Sequence, residues 1–138
     1  MAYGIDGFDD QQVKQTRWMV WGALLSSQVI YVGVSVAGLG AREEPLELLL
    51  FPIILGFLAA GTALGAHFCW RRAVGAHLAV HEARPEPASA FAGYILAWAL
   101  DESIAIYGLV LALLAFQAEI WACFSAASLA LFLIHRPR

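Results

Sequence analysis

Asp101 and Glu102 stand side by side in WALDESIAIYGLVLALLAF, residues 98–116, a stretch with no other charge. A charged side chain at the centre of a bilayer costs at least about 2.5 kcal/mol on insertion scales, so an acid at that depth is a functional candidate by default. The long apolar runs carry no Lys or Arg to pair with Glu102, and His67 lies toward one end of its run. An unpaired carboxyl in a low dielectric either holds a proton or collects a cation, and both describe an ion carrier. The plain structural alternative is a protonated acid that hydrogen-bonds a neighbouring helix.

Other reactive residue types are sparse. His77 and His81 are i, i+4 neighbours able to share a metal or haem edge. The spacing supplies no further ligand, so a solvated helix face is the expectation. Cys69 and Cys123 lie in or at the edge of apolar runs without CxxC or His-rich spacing, which reads as buried structural thiols. His67 alone does not provide the axial ligands of a haem or quinone redox subunit, so neither a metal nor a cofactor is expected. Phosphate-binding loops, catalytic triads and metal-hydrolase clusters are absent from the sequence. The chain is therefore not expected to be an enzyme, and at most a non-catalytic, ion-translocating subunit of a larger complex.

The elements that must position these groups follow from composition. Of 138 residues, 61% are hydrophobic and 14% charged, the balance of an integral membrane protein. A bilayer core of roughly 30 Å needs about 20 apolar residues per helix. The runs Trp18 to Leu39, Leu48 to Trp70, Ala88 to Ala118 and Ile120 to Ile134 predict an all-α, polytopic protein of four transmembrane helices, at about 17–39, 46–83, 88–116 and 119–135. Residues 1–16 form an acidic N-terminal segment, unlike the basic lead of a cleaved signal peptide. Trp18 and Trp21 suit a headgroup-level anchor. With four spans, Lys14, Arg17, Arg71, Arg72, Arg84, Arg136 and Arg138 fall on one side and Arg42 on the other. Basic residues near span ends stay in the cytoplasm, which places both termini there, in a bacterial inner membrane. Nucleic-acid binding has no basic surface to rest on.

Helix 2 carries Gly56, Gly61 and Gly65, and small residues at i, i+4 let another helix backbone approach closely in lipid. Helix 3 presents two faces, because adjacent residues on a helix point about 100° apart. Asp101 shares a small-residue face with Ala97, Ala105, Gly108 and Ala112, where it is expected as structural glue to a group such as Thr62, Ser26, Ser27 or Gln28. Glu102 shares a bulky face with Trp98, Ile106, Leu109 and Leu113, expected toward lipid or a partner helix. There is also an internal repeat. ALLSSQVIYVGV, residues 23–34, aligns with ALDESIAIYGLV, residues 99–110, pairing Ser27 with Ser103 and Tyr31 with Tyr107. Chance similarity between apolar helices competes with duplication as its origin.

ESIAIYGLVLALLAF resembles the carboxylate helix of the rotary ATPase proteolipids, subunit c of F-type and V-type ATP synthases. The Gly-rich helix 2 and the loop ARPEP, Ala83 to Pro87, stand before it as in the family's helical hairpin. The resemblance covers helices 2 and 3, roughly half of the chain. It implies a proteolipid-like subunit of a homo-oligomeric ring, carrying H⁺ on Glu102, with Ser103 and Tyr107 bonding that carboxyl or completing an ion cage. It also implies that Arg84 and Pro85 meet the central stalk, and that the partners are the bilayer, other copies of the chain, and a stator or other membrane-complex subunits. Sodium-binding members supply further polar ligands, and Ile104 with a lone Thr62 on helix 2 puts H⁺ ahead of Na⁺. The alternative is a non-translocating structural or accessory membrane protein that uses the hairpin for oligomerisation.

Overall fold

A computed structural model describes residues 10–38, 50–79, 88–114 and 117–137. They form four α-helices: α1 (Asp10–Gly38), α2 (Leu50–Ala79), α3 (Ala88–Leu113) and α4 (Ala118–Ile134). The helix starts well ahead of the expected residue 17, so the polar residues from Asp10 onward continue the first apolar run as one helix. Arg84, Pro85 and His81 lie outside the described residues, as does the side chain of His77.

α3 is the hub. α2 packs on it most extensively, then α4, then α1, while among the described residues α1 and α2 make no significant contact. Two close approaches explain why α3 can be surrounded. A Cβ at Gly93 would stand 2.9 Å from the Ala73 Cβ of α2, and one at Gly108 would stand 2.9 Å from the Trp121 carbonyl oxygen of α4. Glycine at these two points lets the backbones meet. The small-residue face of α3 is accordingly buried at Ala97, Ala105 and Ala112. One core cluster joins Trp70, Ala73 and Val74 of α2 to Tyr94, Ala97 and Trp98 of α3 and Phe132 of α4, with Trp21 and Leu24 of α1 against it.

α4 is bounded by local chemistry. Gln117 caps it with an extended backbone (φ −55°, ψ 142°), its carbonyl accepting from the Ile120 N–H at 3.0 Å. Glu119 in the first turn complements the helix dipole. At the other end Pro137 cannot continue a helix. The carbonyls left without intrahelical partners there receive indole donors: Trp21 Nε1 donates to Phe132 O at 3.1 Å and Trp98 Nε1 to His135 O at 2.8 Å.

Three helices are long and apolar enough to cross a membrane, over Gln11–Gly38, Leu50–Ala76 and Ala90–Leu113; α4, at 17 residues, is shorter. The outward faces of α1 and α2 are apolar, with Val29 72%, Phe57 77% and Leu64 73% exposed. Apolar surface on that scale is compatible with an integral membrane protein. Cys123 is exposed and Cys69 half-buried, which corrects the expectation of two buried thiols.

Candidate functional site

The adjacent acids serve different helix pairs. Glu102, partly buried on α3, meets two hydroxyls of α1. Ser27 Oγ lies 2.6 Å from Glu102 Oε1, and Tyr31 OH donates to the same oxygen at 2.8 Å. Ser27 Oγ also lies 2.6 Å from the Leu24 carbonyl oxygen. A serine hydroxyl has one hydrogen and two acceptor lone pairs, so it cannot donate to both oxygens at once. With Glu102 ionised, Ser27 donates to the carboxylate. With Glu102 protonated, the acid donates to Ser27 Oγ, and Ser27 turns its hydrogen to Leu24 O. The protonated state satisfies every short contact, whereas the ionised state leaves the 2.6 Å Ser27 Oγ–Leu24 O contact without a hydrogen between the two oxygens.

Asp101, fully buried, faces the other way. Its Oδ2 is paired with His135 Nδ1 at 2.8 Å, both side chains being inaccessible. The Asp101 main-chain carbonyl accepts from Ser128 Oγ of α4 at 2.6 Å. His135 Nε2 in turn lies 3.3 Å from Nδ1 of His67 on α2. His67 stacks on Trp70 with ring centroids 6.0 Å apart, and His135 lies tilted against Trp70 at 5.2 Å. Asp101, His135 and His67 thus form a line from the middle of the bundle to an exposed ring, since His67 is on the surface. Asp101 Oδ1 is buried without a hydrogen-bond partner among the described residues.

Several expectations need correction. Glu102 faces α1 through Ser27 and Tyr31 and its α3 neighbour Trp98 is fully buried, while Ile106 and Leu113 of the same expected face are exposed, so the bulky face is outward only in part and not at the carboxyl. Asp101 lies on the small-residue seam, and its partners are His135 just after α4 and, through the main-chain carbonyl, Ser128 of α4, rather than Thr62, Ser26, Ser27 or Gln28. Thr62 Oγ1 donates to Leu58 O at 2.7 Å within its own helix. Ser103 Oγ likewise donates to Ala99 O at 2.8 Å, a local bond that satisfies the hydroxyl without reaching the carboxylate. Tyr107 packs against the cluster of Leu55, Leu111, Ala112 and Trp121. Gly108 packs tightly on α4, and a Cβ at Gly65 would touch only Leu100 Cδ1 at 3.6 Å. Cβ atoms at Gly56 and Gly61 would meet nothing within 4 Å.

The serine and tyrosine on Glu102 are therefore the repeat partners of the pair that resemblance assigned. Ser27 aligns with Ser103 and Tyr31 with Tyr107, so the signal was present in the repeat but was not carried across to the other helix. His135 was missed for a different reason. It lies 18 positions after Gln117 (135 − 117) and Asp101 lies 16 before it (117 − 101). A short connection between antiparallel helices sets such positions level, and this register was the available signal.

The fold and site define an all-helical chain, with apolar helices of membrane-crossing length, that holds two hydrogen-bonded acids in its interior. No family model matches the chain, no curated protein matches it, and no solved structure matches it. Among the described residues no group of three or more His, Cys, Asp or Glu side chains is placed to hold a metal ion.

Proposed function

We propose that the chain is an integral membrane subunit that takes up and releases H⁺ at Glu102, with Asp101 as a second, buried acid. The observation that carries this reading is the shared hydrogen of Ser27. Ser27 Oγ, 2.6 Å from both Glu102 Oε1 and Leu24 O, accepts from the protonated carboxyl and donates to the carboxylate, so the carboxyl keeps this partner in either state. An acid retained only to tie α1 to α3 needs one protonation state, whereas this site accommodates two. Among the described residues the hydrogen-bond partners of Glu102 are the hydroxyls of Ser27 and Tyr31. They suit a proton and fall short of the roughly six oxygens that hard cations gather, which keeps Na⁺ second.

In this reading α4 completes a fourth span, shortened because Trp21 and Trp98 cap its last carbonyls inside the bundle. Both termini lie on the side bearing Arg17, Arg71, Arg72 and Arg136. The pairing of α2 with α3, together with the proteolipid-like sequence of α3, supports assembly of copies of the chain into a ring. The outer face of α2, where a Cβ at Gly56 or Gly61 would meet nothing within 4 Å among the described residues, is available for the next copy. A stator or other membrane subunits would then face the ring.

A second reading, a non-translocating accessory protein, is favoured by one observation: both acids are bonded to other helices of the same chain. Labelling by a hydrophobic carbodiimide, which attacks protonated carboxyls in apolar surroundings, separates the two. Glu102 is expected to be modified in the folded protein, with labelling lost in Glu102→Gln and retained in Asp101→Asn, because Asp101 is inaccessible. Absence of label at any pH supports the structural reading instead.

A further inference from the structure

The carrier site leaves Asp101, His135 and His67 unused, and their arrangement has a direction. Asp101 and His135 are fully buried, while His67 is exposed. Along α2, His67 precedes Arg71 by four residues, about 6 Å of helix rise, so its ring lies roughly one turn inside the arginine-bearing end. His135 is followed directly by the exposed Arg136. The contacts run across the bundle from the exposed face of α2, one turn inside the arginine-bearing end, to Asp101, which lies level with His135 and with the Gly65 turn of α2.

We propose that His67 and His135 are a built-in proton route that loads Asp101 from the arginine-bearing side. The proposal rests on the reading of the chain as an intramembrane proton carrier, and adds that access to its interior acid is supplied by the chain itself. Neutral imidazole has one N–H and one bare nitrogen, and each is set by what the other faces. With Asp101 ionised, His135 Nδ1–H donates to Oδ2. His135 Nε2 is then the acceptor, and His67 Nδ1–H donates to it, leaving His67 Nε2 as the outer basic nitrogen.

Proton transfer follows the same line. A proton from water or buffer binds His67 Nε2. The Nδ1–H proton of His67 passes to His135 Nε2, and the Nδ1–H proton of His135 passes to Asp101 Oδ2. One proton enters and one O–H forms. Each imidazole loses an Nδ1–H and gains an Nε2–H, ending neutral, and no electron is transferred. The end state is a neutral acid, whose bare Oδ1 costs less to leave unpartnered than a charged oxygen does. Reversal of the sequence unloads Asp101 to the same side.

Among the described residues, the other titratable or charged groups near this end do not interrupt the line. Arg17 of α1 stands 5.2 Å over the Tyr94 ring of α3. Arg71 and Arg72 of α2 and Arg136 after α4 are exposed, and Cys69 of α2 is half-buried. Glu102 of α3 is engaged by Ser27 and Tyr31.

The test is a pH jump on the full-length protein in liposomes, following the infrared band of the protonated carboxyl that Asp101→Asn removes. His67 is exposed and lies outside the core clusters, so His67→Ala removes its stacking on Trp70 and its contact with His135 but no core side chain. His67→Gln keeps a donor toward His135 but cannot pass a proton. Both variants are expected to slow the rise of the band about 10²-fold, the order contributed by a positioned acid–base group, with its final amplitude unchanged. Free imidazole in the buffer is expected to restore the rate in His67→Ala, which a purely structural role would not allow. Wild-type rates in both variants, failure of imidazole rescue, or absence of any Asp101 band would each overturn the relay. Carbodiimide labelling of Glu102 does not depend on the Asp101 band, so failure of the carrier reading is observed separately.

Discussion

At the scale of single residues, two carboxylates adjacent in sequence are separated by helix geometry into two environments. Glu102 has hydroxyl partners on α1, and Asp101 has an imidazole beyond the end of α4. Hydrogen bonds to a charged group contribute about 1.5–3 kcal/mol, against about 1 kcal/mol between neutral groups. Tyr31→Phe removes one of the two hydroxyls that tie α1 to α3 and is expected to cost about 1–3 kcal/mol in denaturant unfolding of the micellar protein. Unfolding equal to that of the parent protein would show that the Tyr31 hydroxyl does not bear on the carboxyl.

At the scale of helices, the glycines of α2 and α3 separate contacts within the chain from contacts available to another copy. A methyl at Gly108 would stand 2.9 Å from Trp121 O and 3.0 Å from Phe124 Cβ, and one at Gly61 would meet nothing. Gly108→Ala is thus expected to push α4 from α3 and to cost about 1–3 kcal/mol in denaturant unfolding of the micellar protein, the usual range for overpacking. Gly61→Leu is expected to leave that unfolding unchanged and to break self-association in detergent, and an unchanged assembly would count against α2 as the interface between copies. Four helices and the buried small-residue seam around Asp101 were legible from apolar runs and from spacing by three and four. The chemistry of the site was less so. Ser103 and Tyr107 match the family pattern, but Ser103 bonds its own helix and Tyr107 packs into a cluster, while their repeat counterparts on α1 reach Glu102. A local sequence match specifies residue types, whereas which copy meets the carboxylate is decided by packing between distant segments. His135 was hidden similarly, because its partner is set by the register of α3 against α4.

At the scale of the whole molecule, α3 is wrapped by three helices, and its acids are tied to all of them directly or through His135. α1 and α2 present apolar faces outward, their most apolar windows only 11% buried within the chain against 44% for α3. A bilayer, and on α2 a further copy, would cover what the fold leaves open. The central claim is that the Ser27 and Tyr31 hydroxyls give Glu102 a partner in each of two protonation states while the helices stay in place. Isotope-edited infrared titration of the protein in liposomes, with Glu102→Gln to assign the band, tests it most directly. The expected result is a carboxyl band of Glu102 that disappears and returns reversibly with pH while the helix amide bands stay fixed. A Glu102 that keeps one protonation state throughout the pH range in which the protein remains folded, or whose titration unwinds a helix, would contradict the account.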